Sequence, residues 1–329
     1  MKSGFRNGKN YFVKDFQLPQ LKMDQVRIKV EACGICGTDV HVVSTKEEQF
    51  GHEIAGTVLE AGSAVTTCKA GDKVVLDSAT PCGYCDNCHD GKQTLCKKLK
   101  TIWGVPSFGF AEEIIAPAIS VVQRGELPAD IASLAEPLGV ALDIFKLTDI
   151  KMDNTVLVSG SGPIGLMALR LAKLAGASKI YAADLSASKK RLALAKEFGA
   201  DEIIEVDKTP LETYKFETAP DRLMITSPPS TLPVMFKICG KAAIISFIGI
   251  KFNGDASITF DANDFHFKKL QLRASFASPA LYTPEAVRLL SSGRIDGSRL
   301  ISHRFKLDDI AHALQTAASP ESVKVVIMP

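Results

Sequence analysis

The stretch from Thr155 to Gly165, TVLVSGSGPIG, constrains the fold of this chain more than any other. A continuous apolar run reaches Ser159, glycines follow at Gly160, Gly162 and Gly165, and a helical pattern continues from Leu166 to Ala175. A bare Gly-x-Gly-x-x-Gly is common, so its context decides what it means. Here a strand precedes it, a helix follows it, and a second strand, Lys179 to Ala183, ends on the carboxylate of Asp184. In that setting Gly160 permits the tight turn, Gly162 lets the backbone approach a pyrophosphate, and Gly165 lets helix and strand pack closely. Pro163 and Ile164 open the helix, whose unpaired N–H groups and dipole favour phosphate. Asp184 is expected to accept hydrogen bonds from the adenosine ribose and to repel a 2'-phosphate. This predicts NAD as coenzyme, although Lys190 and Arg191 nearby leave NADP open.

Beyond Asp184 helical and strand-like stretches alternate: Ala187 to Phe198, Glu202 to Val206, Arg222 to Thr226, and Ala242 to Ile248. Strands separated by helices predict a parallel, doubly wound sheet. The N-terminal part reads differently. From about Tyr11 to Val75, period-two stretches such as Gln25 to Val30 are cut by Gly and Pro, which predicts small β structure. At 329 residues the chain is longer than most single cores sustain, so two domains of an α/β protein are expected.

A formal net charge of +2 gives no reason to expect nucleic acid or an anionic membrane as partner. The longest uncharged apolar run, Ala242 to Ile250, is too short to span a bilayer and suits a buried strand. The N-terminus lacks the apolar core of a secretory signal. A soluble cytoplasmic protein is expected.

Of eight cysteines, four fall between Cys82 and Cys96, spaced Cys82-x2-Cys85-x2-Cys88-x7-Cys96. Four thiolates from one loop can close a tetrahedron around a structural zinc and staple the loop. Iron–sulfur clusters use related spacings. His89 sits inside the loop but a full thiolate set leaves it no place.

A second metal-binding pattern lies upstream. Cys36, His52 and Glu53 offer a soft, a borderline and a hard ligand, and three such ligands leave a fourth tetrahedral position open, as in catalytic zinc sites. The run Gly51-His52-Glu53, Gly56, Gly62, Val65 resembles the zinc signature of the medium-chain alcohol dehydrogenase family at every fixed position. Gly34-Ile35-Cys36-Gly37-Thr38-Asp39-Val40-His41 is similar to that family's G-I-C-G-[ST]-D-x-H, and the four-cysteine lobe to its structural zinc loop.

The resemblance covers nearly the whole chain. It implies a GroES-like β-rich catalytic domain over 1–138, rejoined by 275–329, and a Rossmann coenzyme domain over 139–274. It implies a catalytic zinc on Cys36, His52 and Glu53. Glu136, in the Glu136-Pro137 motif of the polyol, sugar and threonine dehydrogenase branch, is then a fourth ligand or the partner of the zinc-bound water. On residue type alone the other reading of Glu136 is a carboxylate favoured by a helix start. Thr38 is expected to take the substrate's proton and His41 to pass it outward, or His41 only to support the site, while Asp39 fixes the loop by hydrogen bonding. Lys189 stands where NAD-using relatives bind ribose. Phe247-Ile248-Gly249 resembles the segment beside the nicotinamide. The expected chemistry is hydride transfer between a secondary alcohol of a polyol, sugar, amino sugar or cyclitol and NAD, in a homodimer or homotetramer. A threonine-type amino-alcohol dehydrogenase and a non-catalytic dinucleotide sensor are the alternatives. The span from Cys36 to His52 is shorter than in most relatives, and Ala274 to Ala277 lacks a Phe-Arg pair found in sorbitol dehydrogenases, so no single substrate is named.

Overall fold

The computed structural model describes residues 1–329 apart from 105–107 and 253. The chain divides into two compact units, Met1–Gly139 with Ala277–Pro329, and Val140–Phe276.

The first unit is built on the strand Gln25–Gly34. Its even positions Val26, Ile28, Val30 and Ala32 are fully buried, whereas Arg27, Lys29 and Glu31 keep access to solvent, the alternation of a half-buried strand. Strands lie in the order Val121–Gln123, Lys73–Leu76, Glu53–Ala61, Gln25–Gly34, Lys324–Met328, Ile301–Lys306, with Glu113–Pro117 also paired to Gln25–Gly34. Val26, Ile28, Ile54, Phe110, Leu314 and Ile327 belong to one apolar core. The C-terminal strand therefore completes a sheet begun near the N-terminus. It runs parallel to Ile301–Lys306 and antiparallel to Gln25–Gly34.

Two elements here have no clear period in the sequence. The short span between Cys36 and His52 holds the helix Gly37–His41 and the strand Ser44–Gln49. That strand reads STKEEQ and pairs with Lys2–Gly8 in a three-stranded sheet with Asn10–Asp15. His303, on the strand Ile301–Lys306, and His312 both lie against Phe305, with ring centroids 6.2 and 5.1 Å away.

The second unit is a six-stranded, wholly parallel sheet in the order Glu202–Glu205, Lys179–Asp184, Thr155–Ser159, Arg222–Ile225, Ile244–Phe247, Gln271–Ala274. The helices Pro163–Leu174, Lys189–Glu197, Leu232–Ile238 and Ala262–Phe267 occur between its strands along the chain. Every residue of Thr155–Ser159 is buried, as expected for a central strand covered on both faces. The apolar run that begins at Ala242 supplies the strand next to the edge. The edge itself is Gln271–Ala274, whose sequence QLRA carries no strand period and which pairs in register with Ile244–Phe247.

Candidate metal centre and coenzyme pocket

Cys36 ends the turn after Gln25–Gly34 and caps the helix Gly37–His41. Its backbone N–H donates to Asp39 Oδ2 at 2.9 Å, so the carboxylate of Asp39 holds the loop closed as the sequence suggested. His52 and Glu53 come from the start of the strand Glu53–Ala61, which pairs with the same Gln25–Gly34 through Gly34↔Glu53. This register brings Cys36 Sγ, a ring nitrogen of His52 and a carboxylate oxygen of Glu53 to within 4.8 Å of one another.

A tetrahedral zinc with bonds of about 2.0–2.3 Å holds its donors about 3.3–3.8 Å apart, so small side-chain shifts bring this trio onto one ion. His52 Nδ1 is buried without a hydrogen-bond partner, and such a group costs free energy unless a ligand or ion satisfies it. Donor chemistry and the orphaned ring nitrogen both fit zinc. His52 lies between two carboxylates, Nδ1 at 4.0 Å from Asp39 Oδ1 and Nε2 at 4.0 Å from Glu136 Oε1. Glu136, in the first turn of the helix Ala135–Thr148, also takes a 3.4 Å contact from Ser78 Oγ. It stands beside the trio and outside its mutual 4.8 Å radius. Thr38 is half-buried in the helix Gly37–His41, and His41 ends that helix in an exposed position.

Two neighbours of this centre were not legible in the sequence. Lys324, 3 % exposed, donates to Glu53 Oε1 at 2.5 Å and to Ile35 O at 2.9 Å. It also lies against Glu53 Oε2, without the alignment of a hydrogen bond. The ring of Trp103 lies 5.3 Å from that of His52 and 5.4 Å from that of Phe108, with half of its surface open to solvent.

The charges at this centre are coupled. Burial lowers the His52 pKa, but the Cys36 thiolate, a hydrogen bond with it, and then Glu136 and Asp39 outweigh burial and hold the imidazole well above its ordinary range. Burial pushes Glu136 up to about 7, with the charge of Glu53 adding and that of His52 opposing. Burial likewise raises Asp39. Anionic donors crowded in a low-dielectric place stabilise cations, and a bound divalent ion reverses these shifts.

In the cysteine lobe Sγ of Cys82 and Cys88 are 4.0 Å apart, those of Cys85 and Cys88 3.6 Å, and those of Cys85 and Cys96 3.9 Å. Four thiolates around zinc at about 2.3 Å are separated by about 3.8 Å, so the lobe has the shape of a closed site. Backbone N–H groups of Lys97 and Cys88 lower the Cys85 thiol, while burial and its hydrogen bonds with the other thiols raise that of Cys88, as in a cluster that shares protons until a metal takes their place.

The second unit carries the other motif. Gly160 has φ 95°, and a Cβ there would lie 2.6 Å from Thr226 Oγ1; a Cβ on Gly165 would lie 1.9 Å from Gly160 O. Gly162 differs, since a Cβ on it would meet nothing within 4 Å. It faces open space, the requirement for backbone that a phosphate approaches. Gly162 caps the helix Pro163–Leu174, in which Pro163 and Ile164 are the first residues. Asp184 Oδ2 accepts from Ser161 N and Oδ1 from Leu185 N, both at 2.7 Å. A pocket of about 390 Å³ is lined by Gly160, Ala183, Asp184, Leu185, Val206 and Pro228 among others. Lys189 is exposed at the start of the helix Lys189–Glu197. A larger open depression of about 830 Å³ on the first unit, bordered by Phe16, Arg27 and Glu112, contains none of the metal donors.

Two family descriptions match the chain: the alcohol dehydrogenase GroES-like domain over residues 22–128 and the zinc-binding dehydrogenase over 163–292. L-threonine 3-dehydrogenase from Bacillus velezensis is 34% identical, the alignment covering 96% of this chain and 95% of that protein. Among solved structures, a zinc-binding dehydrogenase from Sinorhizobium meliloti bound to NADP has a TM-score of 0.88 at 29% identity, covering 99% of this chain and 100% of that one. Galactitol-1-phosphate dehydrogenase from Escherichia coli has a TM-score of 0.87 at 28% identity, covering all of both chains.

Proposed function

The chain belongs to the zinc-dependent medium-chain alcohol dehydrogenase family, and from that premise we propose that it oxidises a secondary alcohol of a polyol, sugar, amino sugar or cyclitol, with NAD as acceptor. The observation that carries this reading is the convergence of Cys36, His52 and Glu53 within 4.8 Å of one another, with the buried His52 Nδ1 lacking a hydrogen-bond partner. The similarity to galactitol-1-phosphate dehydrogenase adds support for a polyhydroxy substrate.

Cys36, His52 and Glu53 would hold the catalytic zinc, with Glu136 beside them as a fourth ligand or a hydrogen-bond acceptor. When bound, zinc supplies a Lewis acid that makes an alcohol hydroxyl more acidic, and NAD supplies the hydride acceptor. Asp39 fixes the Cys36 loop and lies 4.0 Å from His52 Nδ1. Lys324 holds Glu53 by ion pairing. Thr38 Oγ1 would accept the hydroxyl proton and His41, exposed on the same helix, would release it to water. Cys82, Cys85, Cys88 and Cys96 would hold a structural zinc. Gly160, Gly162, Pro163, Ile164 and Gly165 would cradle the pyrophosphate, and Asp184 with Lys189 the adenosine ribose.

The chain is read as a cytoplasmic homodimer or homotetramer. All eight cysteines are free. Among the described residues no helix is long and apolar enough to cross a membrane. The sheet edge Gln271–Ala274 is followed by Phe276, 76% exposed, a surface that a second copy would cover.

Threonine is a second reading, because the L-threonine 3-dehydrogenase similarity extends over nearly the whole chain. The test is the initial rate of NAD reduction by the zinc-loaded protein over polyols, aldoses, aminocyclitols, threonine and simple alcohols, with NADP in parallel. A rate on polyhydroxy compounds that a chelator abolishes supports the proposal. A rate confined to threonine replaces it with the second reading. NAD binding with no turnover on any of them favours the sensor role.

A further inference from the structure

If Asp184 holds the adenosine ribose, as proposed above, the turn that follows the strand Lys179–Asp184 lies next to the place of a 2'-phosphate, and it carries hydrogen-bond donors. Their partners are two different carboxylates. Asp184 takes Ser161 N and Leu185 N at 2.7 Å and Ser188 Oγ at 3.5 Å. Asp207 takes Ser186 N at 2.7 Å and Ser186 Oγ at 2.6 Å. The parallel register Asp184↔Glu205, with Val206 N donating to Asp184 O at 3.0 Å, sets Asp207 and its turn beside the turn of Asp184. Leu185 and Val206, the neighbours of this pair, both line the pocket.

A phosphate dianion is bound by N–H and O–H donors and by cations, and is repelled by carboxylates. Ser186 presents both a backbone N–H and a hydroxyl, and Lys189, Lys190 and Arg191 follow within five residues. The composition of this turn would suit a 2'-phosphate if the serine were available. Asp207 occupies both of its donors, and these two bonds keep the Asp207 carboxyl below the usual range and charged at neutral pH.

We propose that Asp207 is a second coenzyme-selectivity residue: by holding Ser186 it denies donors to a 2'-phosphate and adds a negative charge to that of Asp184. It is a positioning residue that acts through Ser186. The proposal rests on the coenzyme reading of the pocket. Replacing Asp184 alone leaves Ser186 tied and Asp207 charged, so the two carboxylates act on NADP as a coupled pair.

The experiment titrates zinc-loaded wild type, Asp184→Ser, Asp207→Asn, Asp207→Ala and Asp184→Ser/Asp207→Ala with NADH and NADPH, and with 5'-AMP and 2',5'-ADP as adenosine-end probes. The expected result is a gain in NADPH relative to NADH affinity in the double variant exceeding the product of the single gains by roughly fivefold or more, the scale of coupling between neighbouring polar groups. The 2',5'-ADP to 5'-AMP ratio should follow it. If Asp184→Ser alone reaches the ratio of the double variant, or if both Asp207 variants weaken NADH and NADPH by the same factor, Asp207 is merely structural and the proposal is overturned while the coenzyme reading stands. Wild type that binds neither NADH nor 5'-AMP overturns both.

Discussion

The carboxylate of Glu53 reaches across the bare backbone of Gly34 to meet the ammonium of Lys324. Three adjacent strands make this possible. Glu53 begins one, Lys324 begins another, and Gly34 ends the strand between them, paired with Glu53 on one side and Val326 on the other. Both charges are almost fully buried, so Lys324 is not tolerable without Glu53, nor Glu53 without Lys324 or a metal. Burial lowers the Lys324 pKa, but the charge of Glu53, and after it that of Cys36, outweighs burial and keeps the lysine protonated.

Lys324→Met should therefore destabilise the zinc-free protein by about 3–5 kcal/mol, because it strands a buried carboxylate. The loss should be smaller with zinc bound, since the ion then compensates Glu53. Denaturant unfolding of both forms measures it, and equal losses in the two would contradict the pairing described.

Gly34→Ala attacks the same crossing sterically. A Cβ there would lie 2.0 Å from Glu53 Oε2 and 3.0 Å from the Lys324 stem. The carboxylate must move, and the catalytic zinc should be lost while the cysteine lobe keeps its own. Metal analysis after gel filtration is expected to fall from about two zincs per chain to about one; retention of both would mean that the crossing is not needed for binding.

Trp103 presents a half-exposed ring against His52 and offers an apolar wall beside the metal donors. Trp103→Ala should raise KM for the preferred alcohol by roughly tenfold, the worth of one good aromatic contact, with a smaller effect on kcat. An unchanged KM would remove Trp103 from the substrate's surroundings.

Asp77 gives a pH signature outside both metal clusters. Burial pushes its carboxyl up to about 6, opposed by a hydrogen bond from Thr283. A carboxyl raised in the folded state favours the protonated native protein, so this group's contribution to stability is greatest below its unfolded pKa of about 3.9 and declines as pH rises to about 6. Asp77→Asn should remove that decline, making the variant more stable relative to wild type at pH 7 than at pH 4 by on the order of 2 kcal/mol. A difference that does not change between those pH values would show that Asp77 titrates normally.

Residues whose role follows from local chemistry were legible in the chain itself. The four cysteines announce their site because one short loop supplies every ligand. Gly160 and Gly165 are recognisable because a strand and a helix bracket them within a few residues. Cys36, His52 and Glu53 could be named from their types and from the family signature, although they are distant enough in sequence that spacing alone would not have joined them.

What the sequence could not express is pairing between distant segments. Ser44–Gln49 and Gln271–Ala274 lack a strand period because an edge strand is held by its neighbour's backbone, which places little demand on its side chains. Lys324 looks like an ordinary surface lysine at the start of an apolar strand, and Asp207 like a solvated turn residue. By itself the sequence determined the candidate ligand types, the glycine-rich turn between strand and helix and the parallel alternation, since these depend on residues that are close along the chain. Only the tertiary structure decided that Lys324 lies 271 positions from Glu53 and yet touches it, that Trp103 lies against His52, and that Ser186 answers to Asp207. Those contacts are fixed by strand register and by burial, and both belong to the folded chain as a whole.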